Sequence, residues 1–287
     1  MACPLCDDTG WRPMEVDGVR RVVRCDCWKR DATMRLLEQA HVPRRYQHCT
    51  LDSFTAYNER LALAVDHARR LVEQGPLAER GLLLLGPPGV GKTHVSVGVL
   101  RELVLRYGLR GLFYDTRDLL RVIRSTYDPS VHTTEPEVLR PVIDAQVLVL
   151  DDLGAEKTSE WVDETLNLIV NSRYSGRRLT LLTSNYPDTG DLAEPDSLRA
   201  RIGFRMYSRL LEMCEPVHLD GLDYREPRPP NADDAESLRT EWEARKSALK
   251  KLPSRTSAQA RARLRAARLQ TPAEPLDVKW PGGRAGS

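Results

Sequence analysis

The most constraining stretch of this 287-residue chain is Leu82-Leu83-Leu84-Leu85 followed at once by Gly86-Pro87-Pro88-Gly89-Val90-Gly91-Lys92-Thr93. An unbroken apolar run of this length reads as a strand buried on both faces, as parallel sheets require. Glycines at 86, 89 and 91 let the backbone turn so tightly that its N–H groups converge, and the following helix aims its positive end at the same point. Strand, loop and helix in that order predict a phosphate-binding loop in an α/β fold, with Lys92 on the terminal phosphates and the Thr93 hydroxyl on Mg²⁺. A plain Gly/Pro turn would not need a match over all eight positions.

A second run of the same kind, Val147-Leu148-Val149-Leu150, ends in Asp151-Asp152. Open parallel sheets bind ligands outside the carboxyl ends of their strands. Downstream of a phosphate loop, the pair therefore predicts a Mg²⁺ ligand in Asp151 and, in Asp152, a group that orients or deprotonates an attacking water. An acidic turn after a strand is common by itself; the loop upstream makes the functional reading the better one. Leu179-Thr180-Leu181-Leu182-Thr183 forms a further strand with Ser184-Asn185 at its tip. Asn is an ordinary turn residue, but there its amide can reach the γ-phosphate or the water.

Near the start, Cys3-x-x-Cys6 and Cys25-x-Cys27 bracket Thr9-Gly10-Trp11 and an Asp17-Gly18 turn, which predicts a small hairpin tied at its base. No run of about 18 apolar residues and no basic-then-apolar start are present, so neither a membrane span nor export is expected. In a reducing cytoplasm, two close cysteine pairs point to structural Zn²⁺ held by four thiolates rather than to disulfides. Reduced, unliganded thiols are the alternative, because the second pair is spaced more tightly than usual. Metal binding, at an apparent ~10–16 kcal/mol in finger-type peptides, would dominate the folding of so short a hairpin. Cys49 and Cys214 are unpaired and expected to be buried bystanders.

Between these landmarks, Trp28 to Ala40 has helical composition and Pro43 stops it. Tyr46 and Phe54 then fall in an irregular segment, as packing residues or as contacts to an adenine ring. Leu61, Ala64, Val65, Ala68, Leu71 and Val72 follow helical spacing up to Gly75-Pro76. Val95, Val99, Leu103 and Tyr107 predict the buried face of the helix after the loop, which Gly108 ends. Leu112-Phe113-Tyr114 reads as a strand and Leu119 to Ile123 as part of a helix. Pro129 to Pro136 reads as a polar loop. Trp161, Leu166, Ile169, Val170 and Tyr174 line another helix, Gly203 to Leu211 opens the last core helix, and Val217-His218-Leu219 closes the sheet. Beyond Pro227, Pro229 and Pro230, Asp233 to Leu252 reads as a mixed-charge helix, Ser254 to Thr271 as an Ala/Arg tract and Pro272 onward as disordered. Residues 251–287 hold eight Lys/Arg against Glu274 and Asp277, a net +6 in a chain of net +2. Sequence-independent attraction to phosphate backbones would therefore concentrate in this tail, whose bland alternative is a solvated end.

With these motifs in view, the chain resembles the AAA+ helicase-loader family of the DnaC and DnaI type and the related IstB transposition helper ATPases. The likeness covers about residues 1–226 and rests on Gly86 to Thr93, Leu150-Asp151-Asp152-Leu153-Gly154, Thr183-Ser184-Asn185, Ser208-Arg209-Leu210 and Asp223-Tyr224-Arg225. The cysteine knuckle is similar to that of the DnaI-like branch. The resemblance implies a parallel five-stranded AAA+ sheet with flanking helices, organised as knuckle and linker helix (1–49), ATPase core (50–226) and C-terminal extension (227–287). It implies Walker B roles for Asp151 and Asp152, sensor 1 for Asn185, an arginine finger in Arg209 given to a neighbouring subunit, and a sensor 2-like role for Arg225. Asp152 stands where most AAA+ proteins have Glu, one methylene longer, which implies slow hydrolysis. ATP, Mg²⁺ and Zn²⁺ follow as cofactors, and a replicative helicase, single-stranded DNA and further copies of the chain as partners. The competing readings are a transposition helper and a nucleotide-binding zinc adaptor without turnover. A small-molecule kinase is disfavoured because no acceptor site stands out.

Overall fold

The computed structural model describes residues 3–7, 9–16, 18–188, 197–227 and 234–251. β1 (Trp11–Val16) and β2 (Val19–Arg24) pair antiparallel, with Trp11 opposite Arg24 and Val16 opposite Val19. At the turn Gly18 has φ 75°, which only glycine adopts at no steric cost; Asp17 lies outside the described residues. α1 (Cys27–Glu38) and a 3₁₀ turn at Arg44–Tyr46 lead to α2 (Glu59–Gln74). α2 buries the six apolar residues its spacing predicts. It starts where the Asn58 side chain accepts the Leu61 N–H at 2.9 Å and stops at Gly75.

β3 (Gly81–Leu85) and α3 (Lys92–Tyr107) flank the glycine loop. β4 (Gly111–Asp115), α4 (Thr116–Ser125), α5 (Glu135–Asp144), β5 (Val147–Asp151), α6 (Glu160–Ser175) and β6 (Leu179–Ser184) follow. α7 (Leu198–Ile202), α8 (Phe204–Met213) and β7 (Cys214–His218) complete the core. The five core strands run parallel in the order β4-β5-β6-β3-β7. β3 and β5 are buried along their whole length, as their apolar runs require. The edge strand β7 carries Pro216, a residue that weakens the edge as a template for further strands. The opposite edge is partly covered, because Ala40, just beyond α1, accepts the Phe113 N–H at 2.8 Å. Since β3, β5 and β6 are neighbours, Gly86, Asp151 and Asn185 emerge side by side at their carboxyl ends.

Arg173 on α6 is fully buried. It donates to the carbonyls of Val142, Ile143 and Ala145 at 2.9–3.0 Å, to that of Leu179 at 2.6 Å and to the Thr180 hydroxyl at 3.0 Å. It thus collects the loose carbonyls at the end of α5, where a cation is favoured by the helix dipole. Burial pushes its pKa down to about 9.

Some expectations change. Tyr107 is exposed rather than on the buried face of α3; its ring covers Gly75 and its hydroxyl donates to the Glu73 carbonyl. The polar loop ends at Thr134, because Thr134 and Glu137 cap each other and start α5 at Glu135. The closing strand starts at Cys214 and ends at His218. Cys49 is half-buried instead of buried. The expected mixed-charge helix is α9 (Ala235–Lys251). Pro229, Pro230, the Ala/Arg tract and the stretch from Pro272 lie outside the described residues. Packing divides the chain into Met1–Arg239 and Thr240–Ser287, and the described part of the second unit is the remainder of α9. No helix among the described residues is long and apolar enough to cross a membrane.

Candidate nucleotide site and cysteine knuckle

A cavity of about 560 Å³ opens at the carboxyl ends of the strands. Its polar lining includes Lys92, Thr93, Asp115, Arg117, Asp151, Asp152, Thr183, Asn185 and Arg225, and its aromatic lining is Tyr46, Phe54 and Tyr224. The loop that shapes it depends on glycine: Gly89 and Gly91 have φ 80° and 96°. A Cβ at Gly89 would overlap the Asp223 carboxyl, and one at Gly91 the Phe54 ring.

Lys92 opens α3 and folds back, its Nζ donating to the Gly86 and Pro87 carbonyls at 2.8 Å and to Asn185 Oδ1 at 2.6 Å. Burial lowers its pKa to about 8, against the opposing pull of Asp151 and Asp152. The Thr93 hydroxyl donates to the Asp151 carboxylate at 2.9 and 3.0 Å. These are hard oxygen donors of the kind Mg²⁺ takes, so the pair fits that ion. Asp151 is itself buried, which pushes its carboxyl above the ordinary range, while hydrogen bonds from Thr183 and Thr93 pull the other way.

Asp152 has φ 60°, a left-handed conformation that Asp tolerates better than most side chains. One carboxylate oxygen accepts from Arg117 at 2.9 Å and the other from the Asn185 amide. Asn185 therefore bridges Lys92 and Asp152. The sequence assigned no role to two residues of this network, Thr183, which stands in the Thr183-Ser184-Asn185 motif, and Arg117. Thr183 donates to Asp151 at 2.6 Å and accepts the Asp152 N–H at 2.9 Å, which orients both acids. Arg117, at the start of α4, holds Asp152 across 35 residues. No local pattern marks Arg117, and Thr183 is marked only as the first residue of that motif.

Two distant segments close over the loop. Phe54 lies 5.3 Å from His94 and 5.7 Å from Tyr224 between ring centroids. The Tyr224 hydroxyl donates to the Thr55 carbonyl, Asn58 Nδ2 donates to the Asp220 carbonyl at 2.9 Å, and the Tyr224 N–H donates to the Gly89 carbonyl at 3.1 Å. His94 Nε2, 2.9 Å from the Thr50 carbonyl, must carry its proton there, and burial lowers the ring's pKa. Arg225 comes to the cavity on this C-terminal segment. Arg209 does not: it lies half-exposed on α8, near the Arg205 carbonyl of its own helix at 3.5 Å.

The four sulfurs of Cys3, Cys6, Cys25 and Cys27 lie within 4.8 Å of one another, with Cys3 and Cys25 3.7 Å apart and Cys6 and Cys27 3.5 Å apart. Zinc–sulfur bonds of about 2.3 Å in a tetrahedron set sulfurs about 3.8 Å apart, so this donor set fits Zn²⁺.

A glycine loop after the first strand of a parallel 2-3-4-1-5-type sheet, with paired carboxylates at the end of the next strand but one, defines a P-loop nucleotide-binding protein of the AAA+ class. A model of the IstB-like ATP binding proteins matches residues 76–229, more than half of the chain, and the chain belongs to that family. It is similar to the replicative helicase loader DnaC of Escherichia coli (strain K12), 28% identical over 140 residues, or 49% of this chain and 56% of that protein. It is also similar to the replicative helicase loader DnaI of Bacillus subtilis (strain 168), 30% identical over 157 residues, or 52% of this chain and 48% of that protein. The chain thus matches about half the length of these curated relatives. Among solved structures, a crystal structure of the DnaC helicase loader superposes with a TM-score of 0.56 at 32% identity, over 62% of this chain and all of that one.

Proposed function

We propose that this chain is a Mg²⁺-dependent ATPase that loads a replicative helicase onto single-stranded DNA, with its cysteine knuckle, holding structural Zn²⁺, as the helicase-gripping part. The observation that carries the reading is the segment from the knuckle to α2, whose Tyr46 and Phe54 line the same cavity as Lys92, Thr93 and Asp151. What fills the cavity therefore bears on the chain that leads back to the knuckle. The helicase loaders among the similar proteins support the choice of partner.

Each side chain has a task that follows from its position. Phosphate oxygens compete with the Gly86 and Pro87 carbonyls for the Lys92 ammonium and free Asn185. Thr93 and Asp151 would hold Mg²⁺, which would supply charge neutralisation for the phosphates. Asp152 orients the attacking water, its carboxylate steered by Arg117 and Asn185. Tyr46 and Phe54 offer aromatic surface to the base. Arg225 adds positive charge from the C-terminal segment, and Arg209, outside its own cavity, serves the nucleotide of a neighbouring copy. A finger of this kind is worth about 10³–10⁵ in rate, so an isolated subunit turns over slowly.

ATPase measurement against protein concentration, with and without single-stranded DNA, tests this. Turnover per subunit should rise with both, and Lys92→Ala should abolish it; a rate indifferent to DNA and to concentration overturns the loader reading. The family match favours one other reading, an IstB-like transposition helper. Preferential binding of duplex over single-stranded DNA in the same buffer would select it.

A further inference from the structure

Arg201, on α7, does not line the cavity, yet its contacts reach both segments that carry the groups assigned to the attacking water. Its Nε donates to the Gly154 carbonyl at 2.9 Å and a terminal nitrogen donates to the Glu156 carbonyl at 2.8 Å, two and four residues beyond Asp152. The same guanidinium lies over the Tyr186 ring, 4.9 Å from its centroid, and Tyr186 directly follows Asn185. A planar fork that donates along its edge and covers a ring with its face is a property of arginine, not of lysine. α7 is tied to the same stretch, since the Leu198 N–H donates to the Pro187 carbonyl at 3.0 Å. The backbone here needs holding. Asp152 at φ 60° and Gly154 at φ 88° are two left-handed residues within three positions. Between them Leu153 is fixed to the sheet, its N–H donating to the Thr183 carbonyl at 2.8 Å and its carbonyl accepting from the Ser184 hydroxyl at 2.7 Å. Gly154 is also packed closely: a Cβ there would come 3.2 Å from the Tyr186 ring and 3.5 Å from Arg201 Cβ.

We propose that Arg201 is a positioning residue for ATP cleavage, clamping the loop that follows Asp152 to the Tyr186 ring that follows Asn185, so that both groups are held in one frame. The inference rests on the reading of this cavity as an ATPase site with Asp152 at the attacking water. Asp152 and Asn185 already meet through the Asn185 amide, and Arg201 braces the same pair from outside the cavity lining. The phosphate side of the site has supports of its own, because Lys92 bonds Gly86 and Pro87 and Thr93 bonds Asp151. Arg201 therefore bears on the cleavage step and leaves nucleotide binding alone. Without it, Gly154 regains the backbone freedom of an unrestrained glycine. A displacement of about 1 Å at a reacting group is enough to cost about 10²-fold in rate.

Steady-state ATPase rate and binding of a fluorescent ATP analogue, both measured on the full chain with Mg²⁺, test this. Arg201→Ala is expected to lower kcat by about 10–100-fold while the analogue's Kd stays within about twofold of wild type. Arg201→Lys reaches one carbonyl but can neither straddle both nor cover the ring, so it should recover part of kcat. Tyr186→Ala should lower kcat as well, and the double variant should be no slower than Arg201→Ala, as for two members of one unit. An unchanged kcat in Arg201→Ala, or a weakened Kd with kcat intact, overturns the positioning role alone. So do fully additive losses in the double variant, or a melting temperature that falls in step with kcat across the variants, which would make Arg201 a structural support. A wild type that binds the analogue without turnover removes the ATPase reading, and the positioning role with it.

Discussion

Lys92 shares its protons among two loop carbonyls and Asn185, and burial holds its pKa near about 8. The free lysine is therefore largely neutral at pH 9, whereas phosphate oxygens in contact with it favour the charged form. Binding a nucleotide above pH 8 must then take up a proton, and apparent affinity must fall as the pH rises through about 8. Calorimetric titration of ATP at pH 8.5 in buffers of different ionisation enthalpy should show this uptake, and Lys92→Met should remove it. Asp152 obeys a similar logic of partners. Its left-handed backbone and its bonds to Arg117 and Asn185 fix where the carboxylate points, so its role depends on residues 35 and 33 positions away.

At the scale of elements, α6 is joined to the sheet by the buried Arg173, which satisfies carbonyls at the end of α5 and at the start of β6. Removing the guanidinium would leave several buried carbonyls without donors, each costing about 1–3 kcal/mol. Arg173→Met, similar in length, is expected to destabilise the core by about 3 kcal/mol or more, read as a lower denaturant midpoint with an unchanged slope. The glycine loop shows the opposite balance between local and distant causes. Its conformation is set within eight residues, and the aromatic segments at 54–58 and 220–225 then settle onto the space its missing side chains leave.

Over the whole molecule, the two parts draw stability from different sources. The AAA+ core has a continuous apolar interior on the flanks of the sheet, from Leu83 and Leu85 to Leu148, Ile169 and Leu210. The hairpin has none of this: its buried apolar members are cysteines, and Trp11 and Val22 are exposed. A chelator of zinc, or Cys25→Ser, should therefore unfold residues 3–27 while the core keeps its melting temperature. Thermal unfolding followed by tryptophan fluorescence, where Trp11 and Trp28 report on the knuckle, would then lose its low-temperature part, and backbone circular dichroism would retain the main transition. Coincident loss of both signals would mean that the core needs the knuckle.

The phosphate loop, the two buried strands, the Asp151-Asp152 pair and the four cysteines were all legible from residue order, because each depends on spacing within a few positions or on an apolar run that only a buried strand can use. The start of α5 was equally local, in Thr134 and Glu137, but it went unread. What tertiary structure alone decided was the company each group keeps: Thr183 under both acids, Arg117 on Asp152, Arg173 among carbonyls, Phe54 and Tyr224 over the loop, and Arg209 away from its own cavity. Apart from the bonds of Arg173 to Leu179 and Thr180, those contacts join residues tens to well over a hundred positions apart. They are chosen by strand order and by the need to pair every buried polar atom, and no local pattern encodes that choice.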